Sequence, residues 1–324
     1  MNVAYFGSPK LAAQLLDILH KKQDLHIKLV VTQPDRPAGK RLTITPTDVK
    51  TNAYAKSLEV FDKILDQETE RQLEQLFHKH AIQLCIVFAY GAIISKQLLS
   101  SVKYGFWNIH PSLLPKYRGA APIIFPLALG EKKTGVTLIA MNEHMDTGDI
   151  ICQSPIEIHE DTTRIDVENM ILHIASEMIV QNVQTIKTQK KLLVRTQDHT
   201  HATITRRITK EDGYLPLDIL VHAQKSTKSM LQNDLPYLLS WYYTENSILH
   251  TRKLSSGQIV WNLYKALIGW PGIWTRVQTN KGFKRLQIKR ISYNNKTIAI
   301  QNVQFEGKKE VTFMELNKSC NIFK

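Results

Sequence analysis

The feature that most constrains the fold is an alternation in the first half of the chain, where short β-branched and aromatic runs are separated by stretches of helical periodicity. VAYFG (3–7) precedes Leu11, Ala12, Leu15, Leu16 and Leu19, which share one face of a helix. IKLVVTQ (27–33) and LCIVFAY (84–90) repeat the strand signal, the latter after the charged helical stretch QETERQLEQLFHKHA (67–81). Runs this apolar need cover on both faces, so the pattern predicts right-handed βαβ units around a buried, mostly parallel sheet: an α/β, Rossmann-like domain. TGVTLIAMN (134–142) and DIICQSPIEI (149–158) add strands, and Val167, Met170, Ile171, Ile174 and Met178 predict one face of a further helix.

Over 187–213 this pattern dissolves into polar and basic residues, which reads as a linker. The expected division is an α/β domain over 1–190, a basic linker over 191–210 and a second domain over 211–324. Beyond 271 the runs IWTRVQT, KRLQIKRIS, TIAIQNVQF and VTFMEL alternate between polar turns, which predicts a small antiparallel barrel. The stretch 214–270 is mixed and partly helical in pattern.

Charge separates the two parts. The chain carries +13, and residues 251–324 hold fourteen Lys or Arg against three Glu, so most of the surplus lies in the final quarter. A polyanion-binding domain is expected there, and charge alone does not choose among RNA, DNA and acidic lipid. The composition, 43% hydrophobic and 22% charged, is that of a soluble globular protein. The apolar run at 84–94 falls short of the ~20 residues that span a bilayer. MNVAYFGSPK has neither a basic leader nor an unbroken apolar core, and Cys85, Cys152 and Cys320 are too scattered for a disulfide framework or a metal site. A cytoplasmic location and no metal are expected.

The stretch NIHPSLLPKYRGAAPI (108–123) carries the strongest chemical signal. On a strand Asn108 and His110 face one side while Trp107 and Ile109 face the other, and Pro111 ends the ladder. An amide donor and an imidazole at the carboxyl end of a strand suit acyl transfer to an amine, with a carboxylate as the usual partner of the ring. In MDTGD, either Asp146 or Asp149 meets that requirement.

NIHPSLLPKYRGAAPI, followed after eleven residues by GVTLIAMNEHMDTGDII, resembles the 10-formyltetrahydrofolate-dependent formyltransferase family. The RGAAPI extension, GSPKLA (7–12), QPDRPAGK (33–40), FAYGAII (88–94), GWPGIWT (269–275) and QFEGKKEVTF (304–313) resemble those members that act on initiator methionyl-tRNA. The resemblance implies that Asn108, His110 and Asp146 are catalytic, that Ser112, Leu113, Leu114 and Pro115 contact the folate, and that Phe88, Tyr90 and Gly91 flank the pterin. It further implies 10-formyltetrahydrofolate as donor, initiator methionyl-tRNA as acceptor, an oligonucleotide-fold-like C-terminal β-barrel, a monomer, and neither DNA nor a membrane as partner. Arg36, Lys40 and Arg41, in the loop after the second strand, and Lys284 and Arg285, in the basic tail, become candidate tRNA contacts. The segment near 214–258 is longer than the family pattern by about thirty residues.

Three other functions are weighed: formyl transfer to an amino sugar nucleotide, formyl transfer to glycinamide ribonucleotide, and RNA binding without catalysis. The basic tail disfavours the second, and the intact Asn108, His110 and Asp146 disfavour the third. GSPKLA supplies only one of the three glycines of a dinucleotide-binding turn, so that function is not expected.

Overall fold

The computed structural model describes all residues except 40–41, 226–229, 232–233, 250–253, 280–281 and 321–324. Contacts divide the chain into two compact units. The first holds Met1–Arg118, Gly135–Ile156 and Glu168–Ala202; the second holds Gly119–Thr134, Glu157–Val167 and Thr203–Lys324.

The first unit is built on strands β1 (Asn2–Gly7), β2 (His26–Val31), β3 (Glu59–Phe61), β4 (Leu84–Phe88), β5 (Phe106–His110), β6 (Lys133–Ala140) and β7 (Asp149–Glu157). They form one sheet in the order β7-β6-β5-β4-β1-β2-β3. The pairs β1/β2, β1/β4, β2/β3 and β4/β5 are parallel and β5/β6 is antiparallel, so the expected α/β architecture is observed. β4 is buried along its whole length because neighbours and covering side chains enclose it on both faces.

Helices α1 (Lys10–His20), α2 (Asp48–Tyr54), α3 (Gln67–Lys79) and the short α4 (Lys96–Leu99) connect these strands. Buried Ala12, Leu15, Leu16 and Leu19 form the apolar stripe of α1. The amides of Glu68 and Thr69 donate to the Asp66 carboxylate at 3.0 and 2.8 Å, which fixes the start of α3 and directs Leu73 and Phe77 inward. Phe6 on β1 lies edge-on to Phe77, Tyr90 and Phe106 at centroid distances of 6.4, 5.3 and 5.3 Å. This aromatic cluster locks β1, β4 and β5 to α3, and truncating Phe6 to Ala would cost about 3–5 kcal/mol.

A long helix, Arg164–Gln189, enters the first unit from Glu168. Val167, Ile171 and Met178 are buried as expected, whereas Met170 is exposed.

In the second unit β8 (Ile273–Thr279), β9 (Gly282–Asn294), β10 (Thr297–Phe305) and β11 (Val311–Thr312) form an antiparallel meander in chain order. The described strands show this sheet and not a closed ring. VTFMEL was expected to be wholly extended, but only Val311 and Thr312 are, and a helix starts at Phe313. The cause is a Thr-x-x-Glu box: the Thr312 amide donates to Glu315 Oε2 at 3.1 Å, and the Glu315 amide to Thr312 Oγ1 at 3.3 Å.

The segment near 214–258 contains helices Leu217–Lys225 and Tyr237–Glu245 and the start of Ser256–Ala266. Leu220, Leu238, Leu239, Tyr242 and Tyr243 are buried, and the Tyr242 ring lies 5.4 Å from that of Phe125. No helix among the described residues is long and apolar enough to cross a membrane.

Candidate functional site

β5 carries the two polar residues singled out above to its carboxyl end. Asn108 lies between Val87 on β4 and Ile139 on β6, and His110 lies opposite Thr137 on β6. The His110 ring is buried, with Nε2 3.0 Å from the Tyr117 carbonyl oxygen and Nδ1 3.4 Å from Asp146 Oδ1. A carbonyl only accepts, so Nε2 carries hydrogen in this arrangement. Nδ1 then faces the carboxylate, and a proton taken up by the ring would sit between the two. Asn108 is half-buried, and its side-chain amide makes no hydrogen bond to the described residues. Of the two aspartates left open by the sequence, Asp146 meets His110, while Asp149 opens β7.

The loop that presents Asp146 is held from several sides. Asn142 Oδ1 accepts from the His144 amide at 3.1 Å and from Thr147 Oγ1 at 2.9 Å. Gly148 lies so close to β6 that a Cβ there would sit 2.0 Å from the Ala140 carbonyl oxygen. Asp146 itself has φ of 55°, a conformation open to aspartate but unusual for most side chains. Buried Gln197 donates from Nε2 to the carbonyls of Asp146 and Gly148 at 2.8 and 2.7 Å. Arg118 Nη2 in turn donates to Gln197 Oε1 at 2.7 Å. Burial lowers the guanidinium pKa of Arg118, and the charge of Asp146 opposes that shift.

The SLLP segment is fixed through a single hydroxyl. Thr137 Oγ1 donates to the Ser112 carbonyl at 2.6 Å and accepts from the Leu114 amide at 3.1 Å and from Gln153 Nε2 at 2.9 Å. Gln153 Nε2 also donates to the Leu114 carbonyl at 2.8 Å. Ser112 and Leu114 are buried, and Leu113 and Pro115 are partly exposed. A Cβ at Gly135 would lie 2.5 Å from Leu113 Cδ2, so the absence of a side chain there seats Leu113.

In the FAYG stretch Phe88 and Tyr90 are core residues, each 2% exposed, and Gly91 is exposed with φ of 82°. The Ser8 hydroxyl donates to the Tyr90 carbonyl at 3.1 Å, tying the ends of β1 and β4 together. Burial pushes the Tyr90 phenol up to about 12, and the charge of Glu70 adds to the shift.

Arg36 is exposed on a short hairpin (Arg36–Ala38 with Thr43–Thr45), its Nη2 2.8 Å from Gln33 Oε1. Lys40 and Arg41 lie outside the described residues. Lys50, on α2, is committed to Asp35 and Asp62 at 2.7 Å each, and those hydrogen bonds raise its pKa. In the second unit Lys284 is exposed on β9, and the Arg285 guanidinium stands 4.4 Å from the Trp274 ring centroid. Among the described residues no three His, Cys, Asp or Glu side chains converge as metal ligands.

Sequence reasoning did not single out Tyr117, Arg118, Thr137, Gln153 or Gln197. Arg118 lies within a quoted motif, but Gln197 sits in a polar run with the look of a linker, and nothing in that run marks it as buried.

The family profile described as formyl transferase matches residues 1–183. The chain is 36% identical to the methionyl-tRNA formyltransferase of Caldicellulosiruptor saccharolyticus over 68% of this chain and 69% of the relative. It is 29% identical to the methionyl-tRNA formyltransferase of Pseudothermotoga lettingae over 97% of this chain and 95% of the relative. Among solved structures it shares its fold with a sugar N-formyltransferase from Shewanella sp. at a TM-score of 0.56 and 14% identity, covering 91% of this chain and 98% of the other. An N-formyltransferase from Helicobacter canadensis matches at a TM-score of 0.55 and 15% identity, covering 96% of this chain and 98% of the other. With its amino-terminal 183 residues matched to one profile, the chain belongs to the formyl transferase family.

Proposed function

We propose that this protein transfers the formyl group of 10-formyltetrahydrofolate to the amino group of methionine on initiator methionyl-tRNA. The observation that carries the reading is the His110–Asp146 pair at 3.4 Å beside the unengaged amide of Asn108, in a chain whose full-length relatives are methionyl-tRNA formyltransferases.

The neutral amine of methionine attacks the formyl carbon, and the carbonyl π pair moves onto oxygen. Asn108 donates a hydrogen bond to that developing oxyanion, where a fixed donor in a partly dry site is worth most. His110 stabilises the same charge; to move the proton from the attacking nitrogen to the departing N10 of the folate, its ring gives up the Tyr117 carbonyl, holds hydrogen on Nδ1 towards Asp146 and turns the Nε2 lone pair to the substrate. Asp146 orients the ring and balances the positive charge it acquires. The tetrahedral centre then collapses, the bond to N10 breaks, and no covalent enzyme intermediate forms. The pinned Ser112–Pro115 segment is assigned to the folate, with the backbone at Gly91 beside the pterin. The buried Phe88 and Tyr90 support that loop from beneath.

We assign tRNA docking to a set of cations: the exposed Arg36 on the hairpin, Lys40 and Arg41 between its two strands in sequence, and the exposed Lys284 with the half-buried Arg285 on β9. Phosphate contacts of this kind supply affinity and salt dependence but no sequence choice. In this reading residues 1–190 carry the chemistry and one docking loop, and 211–324 the rest of the docking.

The test is formylation of methionyl initiator tRNA by the purified protein with 10-formyltetrahydrofolate, scored as N-formylmethionyl-tRNA. Product with an amino sugar nucleotide, and none with the charged tRNA, would overturn the assignment.

A further inference from the structure

We infer that the polar segment around residues 195–199 is a clasp over the reactive centre, and that Gln197 is the positioning residue through which it sets Asp146. The inference rests on the functional reading above and adds a component to it.

Three observations on that segment converge. First, its backbone is fixed to the edge of the sheet: the Ile150 amide donates to the Arg195 carbonyl at 2.8 Å and the Arg195 amide returns a bond to Ile150 at 2.9 Å. Second, Gln197 is 4% exposed and saturates its amide on the site loop, giving both Nε2 hydrogens to the Asp146 and Gly148 carbonyls. Its Oε1 accepts from Arg118, whose Nη2 also lies 2.8 Å from His199 Nδ1, so the segment grips the site at two of its own residues. Third, Arg195 bonds through Nη2 to Gln153 Oε1, and Gln153 Nε2 holds the Leu114 carbonyl. One extended stretch therefore restrains both the loop that bears Asp146 and the SLLP segment.

The chemistry explains why glutamine serves at 197. Two carbonyl acceptors and one guanidinium donor converge on the side chain, and only a primary amide supplies two N–H donors and an acceptor in that geometry. Glutamate would keep the bond from Arg118 but present lone pairs to the two carbonyls. Asp146 has a positive φ, so its carboxylate direction is set by its own backbone, and fixing the Asp146 and Gly148 carbonyls fixes the approach of Oδ1 to His110. Gln197 touches no reacting atom in this scheme.

The experiment is a double-mutant cycle on single-turnover formylation of methionyl initiator tRNA, using Gln197→Glu, Gln197→Ala, Asp146→Asn and the paired variants. Each single change at 197 is expected to lower the rate about ten- to a hundredfold, the penalty for misplacing a reacting constellation by ~1 Å, with KM for tRNA unchanged. In the Asp146→Asn background the same changes are expected to cost less than about twofold, because the group they position is already gone. Gln197→Glu preserves volume and the Arg118 contact, so it reports on donation to the two carbonyls even if Gln197→Ala does not fold. Full additivity in both backgrounds would assign Gln197 a general structural role and overturn the inference, as would a wild-type rate in Gln197→Glu. A wild-type protein that formylates no tRNA would instead refute the functional reading, whatever the variants did.

Discussion

Replacing Thr137 by Val tests how the donor segment is held. Valine keeps the shape of threonine but removes the hydroxyl that donates to the Ser112 carbonyl and accepts from the Leu114 amide and Gln153. Gln153 keeps a partner, since its Nε2 also reaches the Leu114 carbonyl at 2.8 Å. The Ser112 carbonyl and the Leu114 amide lose theirs, at a fully buried position. A stranded buried group costs about 1–3 kcal/mol, so the pair amounts to about 1–5 kcal/mol once the added methyl is credited. That is a large share of the ~5–15 kcal/mol typical of a folded domain. Urea unfolding is expected to show a lower midpoint at unchanged slope. Because the freed backbone carries the residues assigned to the folate, KM for 10-formyltetrahydrofolate should rise several-fold while KM for tRNA stays put. A stability loss under about 1 kcal/mol together with an unchanged donor KM would refute the claim that this hydroxyl organises the segment.

His110→Ala should lower the single-turnover rate by about 10²-fold or more and leave tRNA affinity, measured by filter binding, within a factor of two. Lys284→Glu combined with Arg285→Glu should do the reverse, weakening tRNA binding and reducing the slope of log affinity against log salt by ~1–2, with the bound-state rate preserved. The Tyr90 phenol has a folded pKa of about 12, above the ordinary value near 10, so the folded state keeps a proton that the unfolded chain releases. Its contribution is therefore intact below about pH 10 and is lost as pH rises towards 12, by about 2–3 kcal/mol. Alkaline unfolding should be less steep in Tyr90→Phe, and an identical pH dependence in the two proteins would contradict the assignment.

The sheet was legible because its strands are apolar on both faces and its helices carry clear stripes. VAYFG and LCIVFAY became β1 and β4, and IWTRVQT became β8 residue for residue. The pairing of Asn108 and His110 on one strand also followed from alternation alone. Choosing Asp146 over Asp149 required the turn of the loop, because both lie in one five-residue stretch. Met170 reads as part of a helical stripe yet is exposed, since periodicity gives the width of a face and not its centre. Phe88 and Tyr90 lie in a motif assigned to the ligand, and their side chains are ones that the sheet uses as core. Gln197 was illegible for a simpler reason. Its partners are 49, 51 and 79 residues away, and a glutamine buried against carbonyls has the same local sequence as one in solvent.

The way the chain is shared between the two units bears on how the protein is made and how it can be cut. The first unit takes residues up to Ala202, and the second needs Gly119–Thr134 as well as everything from Thr203 onward. A fragment starting at Thr203 would lack Phe125, against which Tyr242 packs at 5.4 Å, and would expose that apolar surface. Conversely, a nascent chain released before Gln197 would carry Asn108, His110 and Asp146 without the two Gln197 bonds to the Asp146 loop. On the inference drawn above, the reactive centre gains its last brace some fifty residues after its last reactive group has been added, so a premature stop in that interval would yield every reactive side chain without that brace.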